Sequence, residues 1–164
     1  VNDGRHQVLH IDRGARQATG EARMTVGKFL NTEREIIQAQ VGDTVAQVVA
    51  LLAQRRIGCV PVVRDGEVVG IFSERDIIYG LERSGAAILQ QPVGEVMTSP
   101  AVTIAANTPI ISALSLMTKR RIRHLPIVED KQLVGFVSIG DLVKSRIDHI
   151  EAEAEAMRTY IQGA

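Results

Sequence analysis

At 164 residues the chain fits one compact domain or two small halves sharing a core, since a very small unit buries too little surface to hold alone. Hydrophobic residues at 45% and charged residues at 23% exclude a disordered chain, while aromatics at 3% and the absence of Trp exclude base-stacking platforms for single-stranded nucleic acid. Nineteen basic and nineteen acidic residues cancel, which removes the broad positive footprint of non-specific DNA binding, so no nucleic-acid partner is expected.

Residues 1–23 are rich in Gly, Arg, Gln and His and lack periodicity apart from Val8-Leu9-His10-Ile11, so they read as an extension. Met24 followed by Thr25-Val26-Gly27-Lys28-Phe29-Leu30 opens a first unit over residues 24–83. A strand is predicted near residues 36–41, then a helix, because Val45, Val48, Val49 and Leu52 are spaced i, i+3, i+4, i+7 and leave one core-facing stripe. Arg55-Arg56 close it. Two β-rich runs follow, 59–63 and 68–72, separated by Arg64-Asp65-Gly66-Glu67, whose Asp-Gly is a hairpin signal. A proline such as Pro61 offers no N–H and is expected at a sheet edge. The single cysteine, Cys59, lies in an apolar run and reads as a small buried residue rather than a reactive thiol. A second helix is predicted from Ser73, and residues 84–92 form a linker.

The second unit, residues 93–147, repeats the order. A strand is predicted over 101–104, then a helix with Ile110, Ala113, Leu114 and Met117 on one face, closed by Lys119-Arg120-Arg121. Runs 124–128 and 133–137 flank Glu129-Asp130-Lys131-Gln132, which lacks the glycine of the first turn, and a last helix starts at Ser138. That helix runs on into an extension, residues 148–164. Val143, Ile147, Ile150, Ala154, Met157 and Ile161 alternate four and three apart in a short a/d seam, open both to docking on its own domain and to pairing with a second chain. Glu151, Glu153 and Glu155 form its wet face. No apolar stretch reaches the ~18 residues of a membrane span and the N-terminus lacks a signal-peptide core, so a cytoplasmic protein with no membrane partner is expected.

The two units are an internal repeat. At an offset of 65, Leu51, Arg55, Arg56, Ile57, Pro61, Val63, Asp65, Val69, Gly70, Ser73 and Asp76 fall without a gap on Leu116, Arg120, Arg121, Ile122, Pro126, Val128, Asp130, Val134, Gly135, Ser138 and Asp141. Upstream, Val26-Gly27 matches Val93-Gly94 at a slightly different offset.

Each repeat carries Ser-x-x-Asp at the first turn of its second helix, as Ser73-Glu74-Arg75-Asp76 and Ser138-Ile139-Gly140-Asp141. The pattern resembles a capping box and can serve helix initiation alone. The same geometry suits a nucleotide, since free N–H groups at a helix start favour phosphate and a carboxylate accepts from vicinal ribose hydroxyls. Catalytic signatures are absent: there is no Gly-x-Gly-x-x-Gly, phosphate-cradling lysine loop, His-Glu-x-x-His or paired Cys-x-x-Cys, and His6, His10, His124 and His149 fall too far apart to suggest a metal.

The runs Ile57-Gly58-Cys59-Val60-Pro61 with Val69-Gly70-Ile71-Phe72-Ser73-Glu74-Arg75-Asp76, and Ile122-Arg123-His124-Leu125-Pro126 with Val134-Gly135-Phe136-Val137-Ser138-Ile139-Gly140-Asp141, resemble CBS (cystathionine β-synthase) domains over about residues 25–147. The resemblance implies an α+β fold, two tandem β-α-β-β-α repeats packed as a pseudo-twofold pair, and a non-enzymatic module that binds adenine nucleotides between the halves. AMP, ADP or ATP is the implied ligand, with NAD(H) and S-adenosylmethionine as further candidates, and a homodimer reporting to an unknown regulated protein is the implied context. Asp76 and Asp141 would hold ribose and Ser73 and Ser138 would lie near phosphate. Adenine would sit on the backbone around Gly58, Val60 and Pro61, or Arg123, Leu125 and Pro126. Arg75, Arg121, Arg123, His124 and Lys144 are the cations available to phosphate, although Lys119, Arg120 and Arg121 equally suit a helix C-terminus. Because Arg123 and His124 stand where the first repeat has Gly58 and Cys59, the Asp141 cleft is expected to be the better phosphate site. A ligand-free dimerisation or scaffold module is the competing reading.

Overall fold

A computed structural model describes residues 24–30 and 35–163; the N-terminal extension lies outside the described residues. In chain order the elements are a 3-10 turn at Val26–Phe29, β1 (Ala39–Gln40), α1 (Val45–Arg55), β2 (Cys59–Arg64), β3 (Glu67–Ser73), α2 (Glu74–Ser84), a 3-10 turn at Gly85–Gln90, α3 (Val93–Val96), α4 (Ile110–Arg120), β4 (His124–Glu129), β5 (Gln132–Ser138) and α5 (Ile139–Gln162). The strands form one sheet in the order β1-β2-β3-β5-β4, in which the hairpins of the two repeats meet through Glu67 and Gln132 at their turn ends.

The amphipathic helices are placed as the spacing dictates: Val45, Val48 and Leu52 of α1 and Ile110, Ala113 and Met117 of α4 are buried. Both end on an arginine in the left-handed region, Arg56 and Arg121, each at φ 54°. The hairpins match even in their irregularities, since the ladder shifts between Val62 and Val63 and again between Ile127 and Val128. Both turns use two residues of positive φ, as two-residue hairpins demand. The first has Asp65 and Gly66, but the second forces Lys131 to φ 66° where the first repeat has glycine.

The opening strands are shorter than the sequence suggests. The strand near 36–41 reduces to Ala39–Gln40, and the strand over 101–104 to a single bridge between Ile104 and Ile127. Each parallel partner needs only enough length to cover the exposed edge of β2 or β4 beside the bulge, with Ile104 N–H donating to Pro126 O at 3.0 Å and Val128 N–H donating to Ile104 O at 2.9 Å. Nor does Pro61 mark an edge strand, because β2 lies between β1 and β3. Pro61 stands opposite Ile71, whose N–H and C=O are both engaged by Thr98 at 2.9 Å, so this rung requires no donor from proline.

Two main cores and a smaller cluster of Val63, Val68, Ala101 and Val128 lie on the sheet, and the repeats exchange their leading turns between the two main ones. Val26 is buried with Ile104, Met117, Leu125 and Leu142 of the second repeat, whereas Val93 is buried with Val45, Val60, Phe72 and Ile88 of the first. Backbone bonds fix both exchanges: Val26 N–H donates to Thr108 O at 2.9 Å and Val93 N–H to Asp43 O at 2.7 Å. A glycine follows each valine because the chains approach closely there. A Cβ on Gly27 would stand 3.0 Å from Ala106 O and one on Gly94 2.9 Å from Val41 O. The linker also serves as core, since its Ile88 is fully buried against Gly80 of α2.

Candidate functional site

Where β3 and β5 run into α2 and α5, the serine of each Ser-x-x-Asp is the N-cap and the aspartate stands in the first turn. Ser73 donates both its N–H and its hydroxyl to Asp76 Oδ2, each at 2.8 Å. Ser138 does the same to Asp141 Oδ2, at 2.9 and 2.7 Å, and its hydroxyl accepts from Asp141 N–H at 3.2 Å. The helix start is tied to the preceding hairpin in the same way in both repeats: Glu74 N–H donates to Gly58 O at 3.0 Å and Ile139 N–H to Arg123 O at 2.8 Å. Gly58 and Arg123 are therefore beside the aspartates of their own repeats, with Cys59 opposite Ser73 and His124 opposite Ser138 across the hairpins.

The second carboxylate oxygens differ. Asp76 Oδ1 accepts from the Thr98 hydroxyl at 2.8 Å, whereas Asp141 Oδ1 has no hydrogen-bond partner among the described residues and Asp141 is exposed. Thr98 was not singled out by motif reasoning. The signal that could have found it is its place just after the matched Val93-Gly94-Glu95-Val96-Met97 segment; the corresponding Asn31 lies outside the described residues.

The remaining candidates divide. Val60, Pro61, Leu125 and Pro126 are buried in the strands, and Val60 and Leu125 have no exposed surface at all. His124 is half-buried and stacks on Phe136, with ring centroids 5.5 Å apart and planes inclined by 11°. Burial lowers its pKa, Asp141 pulls it back up, and Arg123 pushes it down further. Arg75 and Arg123 are exposed, with no hydrogen-bond or ion-pair partner among the described residues, and Arg121 is exposed at the cap of α4. Lys144 is not brought to Asp141: its ammonium lies 2.9 Å from Asp148 Oδ2, one turn further along α5. Cys59 is buried and its thiol is pushed up to about 12 by burial first, then by Asp76 and Glu74, which removes it from thiolate chemistry. A groove of about 570 Å³ opens instead at the hairpin tips, lined by Arg64, Glu67, Val69, Ala101, Thr103 and Lys131, and does not include either aspartate. Among the described residues no group of three or more His, Cys, Asp or Glu side chains could hold a metal ion, and no helix is long and apolar enough to cross a membrane.

A sheet built from two hairpins, each ending in a serine-aspartate box at a helix start, defines a tandem-repeat module of the kind the sequence resembles. The CBS domain family model matches residues 26–83 and again 93–148, and the chain belongs to that family, with two CBS domains in tandem. It is 36% identical over 126 residues to the mitochondrial CBS domain-containing protein CBSX3 of Arabidopsis thaliana, covering 74% of this chain and 61% of that protein, so the chain spans under two thirds of that relative's length. The crystal structure of the CBS-domain containing protein ATU1752 from Agrobacterium tumefaciens superposes with a TM-score of 0.69 at 35% identity, over 75% of this chain and 99% of that one. The CBS domain pair of protein MJ0100, solved in complex with 5′-methylthioadenosine and S-adenosyl-L-methionine, superposes with a TM-score of 0.66 at 25% identity, over 78% of this chain and 98% of that one.

Proposed function

We propose that this CBS pair is a regulatory module without catalysis of its own, which binds an adenosine-bearing ligand, AMP foremost, at the Asp141 cleft. The observation that carries the reading is the Asp141 carboxylate. It is held at a helix start by both donors of Ser138, with Oδ1 turned to no described partner, in a fold whose relative MJ0100 is solved with two adenosine compounds. Vicinal ribose hydroxyls would donate to Oδ1, while Arg123 and the ring N–H of His124 would meet phosphate. ADP, ATP, NAD(H) and S-adenosylmethionine are the competing ligands. A homodimer, and a regulated protein that responds to the relative orientation of the repeats, complete the proposal, since a ligand shifts that orientation only by its differential affinity for the two arrangements.

At Asp76 a second reading is favoured. Its carboxylate already accepts three hydrogen bonds, one from Thr98 of the other repeat, so we read it foremost as a clasp between repeats that a ligand would have to displace.

Titration calorimetry with AMP, ATP, NADH and S-adenosylmethionine, repeated on Asp76→Ala and Asp141→Ala, tests both assignments. Asp141→Ala is expected to abolish the tighter event. Heats unchanged in both variants would refute the site assignment, whereas no heat and no thermal shift with any of these compounds would favour the ligand-free scaffold; a bound ligand at ~100 times its Kd adds about 2.7 kcal/mol to stability.

A further inference from the structure

Helix α5 turns an apolar seam away from its own domain. Its buried residues are Leu142 and Ser145, with His149 half-buried one turn on, and these form the stripe that docks on the domain. With Val143, Ile150 and Met157 at d and Ile147, Ala154 and Ile161 at a, Ser145 occupies f, the position opposite the seam on a helical wheel. The docked stripe and the seam therefore lie on opposite sides of one helix. Ile147 is 49% exposed, Ile150 48%, Met157 69% and Ile161 74%, a run of apolar side chains along the whole outer face.

The charges that flank the seam choose the occupant and its direction. Positions e and g hold Lys144 and Arg146, then Glu151 and Glu153, then Arg158 and Tyr160. In a parallel pair, g of one helix faces the following e of the other, which sets Arg146 against Glu151 and Glu153 against Arg158, each twice by symmetry. In an antiparallel pair e faces e and g faces g, which sets Glu153 against Glu153 and Lys144 against Arg158, so like charges meet. The Arg158–Glu155 pair at 3.1 Å is exposed and readily exchanged, and Glu153, 3.2 Å from the half-buried His149, is itself exposed. The short seam needs no separate nucleation, as the Ser138 box and the buried Leu142 already hold the first turns helical.

We infer that α5 pairs with α5 of a second copy of this chain as a parallel, in-register two-stranded coil over residues 143–161. The inference rests on the homodimer part of the proposed function, whose interface and direction it supplies, and is independent of any ligand.

Sedimentation of the full chain, Ile150→Asp, Glu153→Arg, Arg158→Glu and the double charge swap tests it. The wild type is expected to sediment as a dimer and Ile150→Asp as a monomer with an unchanged circular dichroism spectrum, since Ile150 is half-exposed in the monomer. Each single charge reversal should raise the dimer dissociation constant several-fold and the double swap should restore it. Met157→Cys should cross-link to itself under mild oxidant, because d meets d in the parallel coil; an antiparallel pair centred on residue 152 would part these positions by ~15 Å. The buried native Cys59 does not compete. A monomeric wild type overturns both the dimer and this interface. A dimer that survives Ile150→Asp overturns the interface alone, and a dimer that Met157→Cys fails to cross-link overturns the direction.

Discussion

Thr98, at the start of the second repeat, donates its hydroxyl to Asp76 Oδ1 at 2.8 Å, while Ser73 of the first repeat holds the other carboxylate oxygen. One side chain thus caps α2 and fastens the two repeats together, and the twin aspartate, Asp141, caps α5 with its own serine. The two positions are equivalent in sequence and unequal in work.

The difference predicts unequal stability costs. Asp76→Ala removes a charged acceptor from three donors and should cost about 2 kcal/mol, whereas Asp141→Ala gives up an exposed cap and should cost about 1 kcal/mol. Thr98→Val should recover part of the Asp76→Ala cost and should not change the Asp141→Ala cost. Urea denaturation of the wild type, the three single variants and the two double variants with Thr98→Val measures this; equal costs at the two aspartates would refute the clasp.

Acidification should weaken the fold through His124. Its pKa is lowered in the folded protein, by burial first, so the unfolded chain binds the proton more readily and stability falls as pH drops through the ordinary value of 6.5. The melting temperature is expected to fall between about pH 7.5 and about pH 5.5, and His124→Gln to flatten that slope. A slope unchanged in His124→Gln would place the titration elsewhere.

The exchanged turns predict where damage is felt. Val26→Ala empties part of the core that holds Leu125 and Met117, at about 2 kcal/mol, and should lower amide protection in α4 and β4 more than in β2 and β3. Val93→Ala should do the reverse, lowering protection in α1 and β2. Hydrogen exchange resolved by mass spectrometry reads both, and the same distribution of losses in the two variants would argue against separate cores.

Much of this was legible in the residues. The stripe Val45, Val48, Leu52 and its copy Ile110, Ala113, Met117 fix which face of α1 and α4 is buried, because helical period and apolar contrast are local properties. The two hairpins and the serine-aspartate boxes follow from one repeated string, and so does the CBS family, whereas the register shift both hairpins share shows only in the structure. Turn chemistry is local as well, yet Lys131 at positive φ shows the fold holding a turn that its own residues favour less than Asp65-Gly66 do.

Contacts between the repeats were not legible. Sequence contiguity groups Val26 with the first repeat, but it is buried in the second; the segment 84–92 reads as a linker, but Ile88 fills the first core. Thr98 carries no motif, and only the path of its backbone along β3 brings it to Asp76. Whether the α5 seam faced inward or outward also waited on the fold, since periodicity gives a stripe and not the direction in which it points. Periodicity, caps and turns are set by residues a few positions apart, so the chain states them by itself; which apolar surfaces cover one another depends on atoms remote in sequence, and only the packed structure decides it.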